Sequence, residues 1–267
     1  YGILPLAHVF GLASVFLGSL YVGACYMPRA RFDAVEMQAD IAAGITHLQG
    51  VPAMFARFLA HLRHTGEPLG PHRIRFTSAG GAPLDLALKL ACEDLFGQPL
   101  HNGYGMTEAS PSMAMTRVDF PRHDGSVGHP LPFVELIAVD DEGRRVADGE
   151  VGDIRCRGPG VMKGYYKAPD LTRAAVTPEG WLITGDKGYF DGEGSLHIVG
   201  RSKELIIRSG FNVYPPEVEG VLSKHPRVIL SAVIGVPAAD GNEEIVAYVQ
   251  VNPASPPEEI ELVELCA

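Results

Sequence analysis

The chain has 267 residues, of which 46% are hydrophobic and 20% charged, a balance typical of a folded protein with a substantial core. A formal net charge of −10 argues against a nucleic-acid-binding protein, because phosphate contacts need clustered Lys and Arg. The four cysteines form no CxxC pair, so we expect buried free thiols in a reducing compartment, with the cytoplasm as the default location. The sequence contains no run of about eighteen apolar residues, so no integral membrane span is expected.

Residues 1–123 alternate strand-like, glycine-rich and helical segments. Residues 1–27 predict a strand that leads into a buried helix. The elements predicted next are a helix over 31–44, a strand over 45–49, a helix over 51–64, a strand over 74–78, a helix over 84–96 and a strand over 100–104. This alternation is typical of an α/β layer whose functional site lies at the ends of its strands.

Two further regions follow. Short β-like runs separated by Asp-Glu-Gly turns predict a small antiparallel sheet or barrel over residues 124–200. Residues 201–267 predict a hinge and a partial α+β domain. Its expected elements are a strand over 204–208, a helix over 215–223 and strands over 228–236 and 244–251. Because the chain begins in apolar core sequence and stops in a predicted helix, we expect it to be part of a longer protein.

Residues 181–219 connect the second region to the third. They begin with a predicted turn that carries Asp186, pass through a hairpin over 191–194 and reach a strand end at 200–203. Two apolar stretches flank a short charged segment. This pattern predicts two packed bodies joined by a hinge, with a nucleotide bound on the first body.

Candidate ligand-binding residues fall in three places. The loop 102–108 offers a flexible backbone, an aromatic face at Tyr104, a hydroxyl at Thr107 and a carboxylate at Glu108, although a structural turn is an equal alternative. The segment 79–83 exposes backbone groups that could read an adenine edge or line a slot for a narrow substrate, with a plain strand–helix turn as the alternative. Asp186 suits the two hydroxyls of a ribose, or caps its own turn.

One glycine-rich segment, GPGVMKG at 158–164, invites comparison with phosphate-binding loops. Its spacing is not GxGxxG, and no Gly-Lys-Ser/Thr sequence follows it. A turn between two strands is therefore the favoured interpretation.

Seven stretches, taken together and in this order, resemble the adenylate-forming superfamily of acyl-CoA synthetases, peptide-synthetase adenylation domains and luciferases. They are PLAHVFG, GVPAMF, SAGGAPL, NGYGMTE, GEVGDIRCRGPGVMKGYY, WLITGD and GRSKELIIRSGFNVYPPEVE. SGFNVYPPEVE and KGYYKAP are most similar to acyl-CoA synthetases of the fatty-acid–CoA ligase branch. The resemblance implies a multi-layer α/β fold with a small β-barrel-like subdomain and a truncated C-terminal α+β domain.

The resemblance also implies a reaction in two steps. A small carboxylic acid attacks the α-phosphate of ATP, with Mg²⁺ bound, and yields an acyl-adenylate and pyrophosphate. The C-terminal unit then rotates, and the thiol of coenzyme A displaces AMP. ATP or AMP, Mg²⁺ and coenzyme A are therefore the implied cofactors, and a homodimer is left open.

The resemblance assigns roles residue by residue. Thr107 would contact the α-phosphate, Glu108 would bind Mg²⁺, and Lys203 would be the hinge pivot. The residues implied to frame the nucleotide and coenzyme A are Gly80, Gly81, Ala82, Tyr104, Gly105, Asp186, Arg201, Ser209 and Gly210. Asp186 would hold the ribose hydroxyls, and Arg201 the ribose or a phosphate. The residues implied to line the acyl pocket are His8, Val9, Phe10, Val51, Phe55 and Ala79.

The sequence departs from the family pattern at two points. The family's Gly- and Ser/Thr-rich phosphate loop normally lies upstream of PLAHVFG, and its adenylation lysine normally lies in a later Gly-Lys segment; neither is among these residues. We therefore expect this chain alone to make little or no acyl-adenylate. The alternatives are a non-catalytic nucleotide- or acyl-binding remnant and an adenylation module that serves a carrier protein.

Overall fold

A parallel three-stranded unit lies at the centre of the first region. The computed structural model describes residues 1–209, 211–238, 243–253 and 255–266. The elements of this region are a π-helical segment (Phe10–Leu17), α1 (Gly18–Tyr21), α2 (Ala34–Ala43), β1 (His47–Gly50), α3 (Pro52–Thr65), β2 (Phe76–Gly80), α4 (Leu86–Phe96), β3 (Leu100–Gly105), a 3-10 turn (Thr107–Ala109), β4 (Ser112–Met115) and β5 (His129–Pro130). The five strands form one sheet in the order β1-β2-β3-β4-β5, with β1, β2 and β3 parallel.

Local sequence explains where the helices of this region begin and end. Asp33 accepts hydrogen bonds from the first turn of α2, and Asp85 accepts one from Leu88 N in α4. Pro52 opens α3, and Gly66 ends it in the left-handed conformation (φ +70°). The helices pack around fully buried side chains such as Phe58. The predicted α/β alternation is confirmed.

The second region is one antiparallel sheet. Its elements are β6 (Glu135–Val139), β7 (Gly152–Arg157), α5 (Pro169–Ala175), β8 (Leu182–Phe190) and β9 (Leu196–Arg201). The strands lie in the order β6-β7-β8-β9, and no pairing among the described residues closes them into a barrel. Of the two forms that the sequence allowed, the open sheet is present and the barrel is wrong.

The third region consists of two antiparallel strand pairs and two helices. The elements are β10 (Ile206–Arg208), β11 (Phe211–Val213), α6 (Pro215–Leu222), β12 (Val228–Pro237), β13 (Glu243–Val251) and α7 (Glu259–Leu265). A small core of Ile206, Leu222 and Val233 holds them together. The strand β11 was not predicted. The division at residues 123 and 200 stays a prediction, and β5 pairs with the first sheet although it lies beyond residue 123.

The structure differs from the sequence prediction at the N-terminal segment. Residues 1–9 contribute an isolated bridge between Gly2 and Pro28, and in the helical segments that follow, Phe10–Leu17 and Gly18–Tyr21, only Gly11 and Val15 are buried. Leu17 and Tyr21 are 49% and 92% exposed. The apolar composition of this helix was mistaken for burial. No helix among the described residues is long and apolar enough to cross a membrane.

The cysteines also differ in part from the prediction. All four are free thiols, as expected, but only Cys92 and Cys156 are buried. Cys25 and Cys266 are exposed, so burial was wrong for these two residues.

Candidate functional site

The carboxyl ends of β1, β2 and β3 form one edge of the first sheet. Gly50 pairs with Ala79, and Gly80 pairs with Gly103, so the three strands end at a similar level. The loop that follows β2, with Gly81 and Ala82 exposed, therefore lies beside the Tyr104 end of β3. In open α/β sheets this edge is where ligands bind.

Gly105, at the end of β3, is a position where any side chain would clash with the backbone. A Cβ atom there would lie 2.0 Å from the carbonyl oxygen of Pro111, because the chain folds back immediately after the strand. This close approach of two backbone segments starts the Thr107–Ala109 turn at a fixed place.

Asp186, Tyr104 and Arg201 form what we call the Asp186 corner. The Tyr104 hydroxyl donates a 2.5 Å hydrogen bond to Oδ2 of Asp186, and Arg201 Nε donates a 3.1 Å bond to Oδ1. Tyr104 comes from the first sheet, whereas Asp186 and Arg201 face each other across β8 and β9 of the second. The structure therefore brings together three residues that the sequence proposed for one nucleotide.

Asp186 lies inside β8, so the predicted turn at this residue is wrong. Gly185 takes a left-handed conformation (φ +76°), and the pairing of β8 with its neighbours is irregular nearby. The Thr184 hydroxyl accepts a 3.1 Å bond from Asp186 N and donates a 2.7 Å bond to the carbonyl of Ile154. These contacts fix the backbone that carries the carboxylate.

Burial dominates the electrostatics of the corner. It raises the pKa of the Asp186 carboxyl, although the hydrogen bond from Tyr104 and the charge of Arg201 act in the opposite direction. Burial, followed by the negative charge of Asp186, raises the pKa of the Tyr104 phenol above its ordinary value. Tyr104 is therefore a neutral hydrogen-bond donor at neutral pH. Only 5% of the Asp186 surface is exposed, which leaves a narrow face for a ligand.

Glu108 lies in the 3-10 turn Thr107–Ala109, which we call the Glu108 turn. Thr107 is exposed and Glu108 is partly exposed, so a hydroxyl and a carboxylate are both open to a ligand. One carboxylate combined with substrate phosphates and water is the oxygen-donor set that Mg²⁺ prefers. The residues present therefore fit a bound Mg²⁺.

The 158–166 loop, which includes GPGVMKG, packs on the Glu108 turn. Met162 N donates a 2.8 Å bond to the carbonyl oxygen of Glu108, and the Tyr165 hydroxyl donates a 2.9 Å bond to Oε1 of the same residue. At Gly160 a Cβ would lie 2.7 Å from the carbonyl oxygen of Ala109. The loop joins β7 to α5, so it is not a turn between two strands, and Gly160 permits this close packing.

The predicted acyl-pocket residues are only partly grouped. A Cβ at Gly80 would lie 3.4 Å from the Phe10 ring, and one at Gly81 would lie 3.7 Å from both Phe10 and Val51. Three further predicted residues lie elsewhere or are covered. Ala79 and Phe55 are each 1% exposed within the main core, and the exposed His8 accepts a 3.2 Å bond from Phe10 N. Val9 is half-buried beside them.

Lys203 lies in an exposed turn between β9 and β10. Glu204 N donates a 3.1 Å bond to the carbonyl of Arg201, and Ser202 N bonds to the carbonyl of Gly185 at 2.9 Å. This short connection is the link between the second and third regions. Ser209 is exposed with φ +51°, and Gly210 lies outside the described residues.

A cleft of about 1180 Å³ lies between the sheets and the third region. Its walls include Gly81, Ala82, Tyr104, Gly105, Asp186 and Arg201 on one side and parts of α6 and β12 on the other. A volume of this size exceeds what a nucleotide-sized ligand needs. Thr107 and Glu108 lie outside the lining of this cleft.

Comparison with known proteins identifies the family. The model of the AMP-binding enzyme family matches residues 1–166. The chain belongs to this family. Among curated relatives, sulfoacetate–CoA ligase of Cupriavidus necator is 39% identical over 254 residues, which are 94% of this chain and 49% of that protein. Long-chain-fatty-acid–CoA ligase of Yersinia pestis is 38% identical over 263 residues, which are 96% and 46% of the two chains. The chain thus spans about half the length of these relatives.

Solved structures of similar proteins share this fold. ATP-bound MatB from Rhodopseudomonas palustris aligns with 99% of this chain and 52% of its own, with 35% identity and a TM-score of 0.87. The apo form of MatB covers the same shares with a TM-score of 0.75. This chain therefore has an arrangement closer to that of ATP-bound MatB.

Several residues of the site were not predicted from the sequence. Tyr165, Thr184 and the backbone of Met162 contact predicted site residues, but nothing in their local pattern marks them. Tyr165 and Glu108 are 57 residues apart in the chain. Only the fold brings such partners together.

Proposed function

We propose that the chain provides the ribose-binding and metal-binding parts of an AMP-forming acid–CoA ligase, together with its hinge. The observation that carries this proposal is the Asp186 corner. A buried carboxylate between a phenol donor and an arginine presents acceptor atoms to two adjacent hydroxyls, which is the chemistry of ribose recognition. The CoA ligases among the relatives support the same reaction class.

The proposed reaction has two steps. An oxygen of the substrate carboxylate attacks the α-phosphorus of ATP, and the bond to pyrophosphate breaks as the acyl-adenylate forms. The deprotonated CoA thiol then attacks the acyl carbon, and AMP leaves with the electron pair of the broken bond. Phosphoryl-type transfer depends mainly on positioning and charge neutralisation, so no protein nucleophile is needed.

Each residue has one task in this scheme. Asp186 and Arg201 hold the ribose, Tyr104 with Gly80, Gly81, Ala82 and Gly105 frames the adenine end, and Thr107 donates to the α-phosphate. Mg²⁺, when bound at Glu108, neutralises charge on the phosphates. The half-open group of Phe10, Val51 and the Gly80–Gly81 backbone receives the acyl chain, with His8 and Val9 at its rim. Phe55 and Ala79 shape this pocket from the core beneath it.

The 267-residue chain alone should catalyse the first step poorly. The Gly- and Ser/Thr-rich loop and the Gly-Lys segment of the family are not among its residues, and loss of one charge-stabilising donor costs roughly 10²–10³-fold in rate. The test is ATP–pyrophosphate exchange with acids from acetate to palmitate and benzoates, together with calorimetric titration of AMP. AMP binding without exchange is expected. Exchange at the rate of an intact ligase contradicts the predicted inactivity, and failure to bind AMP contradicts the ribose assignment.

We further propose that residues 202–204 form a hinge, with Lys203 as its pivot and Ser209 near the path of the CoA thiol. The exposed turn, and the different similarities to the two forms of MatB, support this motion. In the full-length enzyme, Lys203→Pro restricts the backbone and should impair one half-reaction more than the other. Equal loss in adenylation and thioester formation would show that residue 203 is not the pivot.

A further inference from the structure

Tyr165 makes a side-chain contact with the carboxylate proposed to bind Mg²⁺. Its hydroxyl lies 2.9 Å from Oε1 of Glu108. Among the described residues, Oε2 of Glu108 accepts no hydrogen bond. One oxygen of the carboxylate is thus held by the phenol while the other is open.

The backbone of Tyr165 is itself held in place. Its N–H donates a 2.9 Å bond to Oγ1 of Thr172, and that hydroxyl donates a 3.0 Å bond to the carbonyl of Ala168 at the start of α5. Gly164 precedes Tyr165 at φ +145°, where a Cβ would lie 2.7 Å from Thr172. Tyr165 therefore extends from a fixed support rather than from a loose loop.

The turn that carries Glu108 is held by the same loop. Met162 N bonds to the Glu108 carbonyl at 2.8 Å, and Gly160 lies against Ala109. The loop therefore fixes the backbone of Glu108 at one point and its side chain at another. A glutamate has three rotatable side-chain bonds, and this second contact selects one orientation.

We infer that Tyr165 is a positioning residue for the metal site, and that it presents Oε2 of Glu108 to a divalent cation. The inference rests on the proposed metal role of Glu108. Partners that orient a metal ligand typically contribute 10–100-fold to metal affinity, and because Tyr165 is 39% exposed, water replaces part of its bond. We expect an effect near the lower limit, about tenfold.

The chain offers a matched control in the next residue. Tyr166 is 88% exposed, and Lys167 Nζ lies 5.3 Å from the centre of its ring. Its hydroxyl makes no hydrogen bond to Glu108. Tyr165→Phe and Tyr166→Phe therefore remove the same atom from neighbouring positions, and only the first removes a contact to the proposed ligand.

The experiment measures Mn²⁺ binding in the presence of ATP by electron paramagnetic resonance, and AMP binding without metal by calorimetry. Wild type, Tyr165→Phe, Tyr166→Phe, Glu108→Gln and the double variant Tyr165→Phe/Glu108→Gln are compared. We expect Tyr165→Phe to weaken Mn²⁺ binding about tenfold with unchanged AMP affinity, and Tyr166→Phe to match wild type. In the Glu108→Gln background, Tyr165→Phe should add no further loss, because both changes act through one carboxylate.

Four results would overturn the inference. If Tyr165→Phe binds Mn²⁺ with wild-type affinity, Tyr165 does not position Glu108. If Tyr165→Phe loses Mn²⁺ and AMP affinity equally, the role of Tyr165 is purely structural. Wild-type Mn²⁺ affinity in Glu108→Gln, or no Mn²⁺ binding by the wild-type chain, removes the metal assignment on which the inference depends. The ribose assignment is judged separately, by AMP binding measured without metal.

Discussion

The Asp186 corner and the Glu108 turn achieve side-chain placement by different means. In the corner Asp186 is buried, Tyr104 is half-buried and Arg201 is exposed, and the three residues come from strands of two sheets. The turn is partly exposed, and a glycine-rich loop holds it from outside. A carboxylate held within strands is rigid, but its burial costs desolvation free energy. A carboxylate held by a loop stays solvated, but its orientation depends on a few contacts.

The largest expected effect comes from removing the carboxylate of the corner. Asp186→Ala deletes the acceptor for Tyr104, Arg201 and the proposed ribose hydroxyls. Hydrogen bonds to charged groups contribute about 1.5–3 kcal/mol, so AMP affinity should fall roughly 10–100-fold while the fold is retained. Calorimetric titration measures the affinity and circular dichroism checks the fold. Unchanged AMP affinity in a folded variant would remove the ribose role.

A smaller effect is expected from a backbone substitution between Tyr104 of the Asp186 corner and the Glu108 turn. Gly105→Ala places a Cβ 2.0 Å from the Pro111 carbonyl, so the chain must shift at the start of the Glu108 turn. Overpacking of this kind costs about 1–3 kcal/mol, which urea denaturation would detect. Gly103→Ala in the same strand is the control, because its Cβ meets Met115 at an ordinary 3.5 Å. Equal stabilities of the two variants would contradict the steric argument.

The smallest effect is the pH dependence of stability. Burial raises the pKa of Asp186 in the folded state. As pH rises from about 4, Asp186 therefore loses its proton first in the unfolded chain. As pH rises from the unfolded-state pKa of Asp186 to its folded-state pKa, the carboxylate progressively lowers the free energy of unfolding. Below the unfolded-state pKa this penalty is absent. Asp186→Asn does not titrate, so its stability relative to wild type should increase with pH across this window and then level off.

Urea denaturation at several pH values between 4 and 7 measures this difference. Asp94→Asn, which changes an exposed residue of α4, controls for removal of one negative charge. A relative stability of Asp186→Asn that decreases with pH would contradict the assigned direction of the pKa shift.

Sequence patterns predicted the elements better than the contacts between them. Hydrophobic periodicity placed most strands and helices, and the order of the motifs indicated the family. Asp186 was placed in a turn because Gly-Asp usually marks one, whereas pairing with Arg201 keeps it in β8. The N-terminal helix was mistaken for core because composition alone does not show which face is covered. The Tyr165–Glu108 bond joins distant segments, so no local signal could have predicted it.

The position of Arg201 has a mechanical consequence. It is the last residue of β9, directly opposite Asp186 and two residues before Lys203. In the proposed rotation about Lys203, atoms close to the axis travel a shorter arc than atoms farther from it. If the third region rotates in this way, a nucleotide bound by its ribose close to Lys203 would stay bound in both orientations. Residues of the third region farther from Lys203 would meanwhile replace one another around its phosphates.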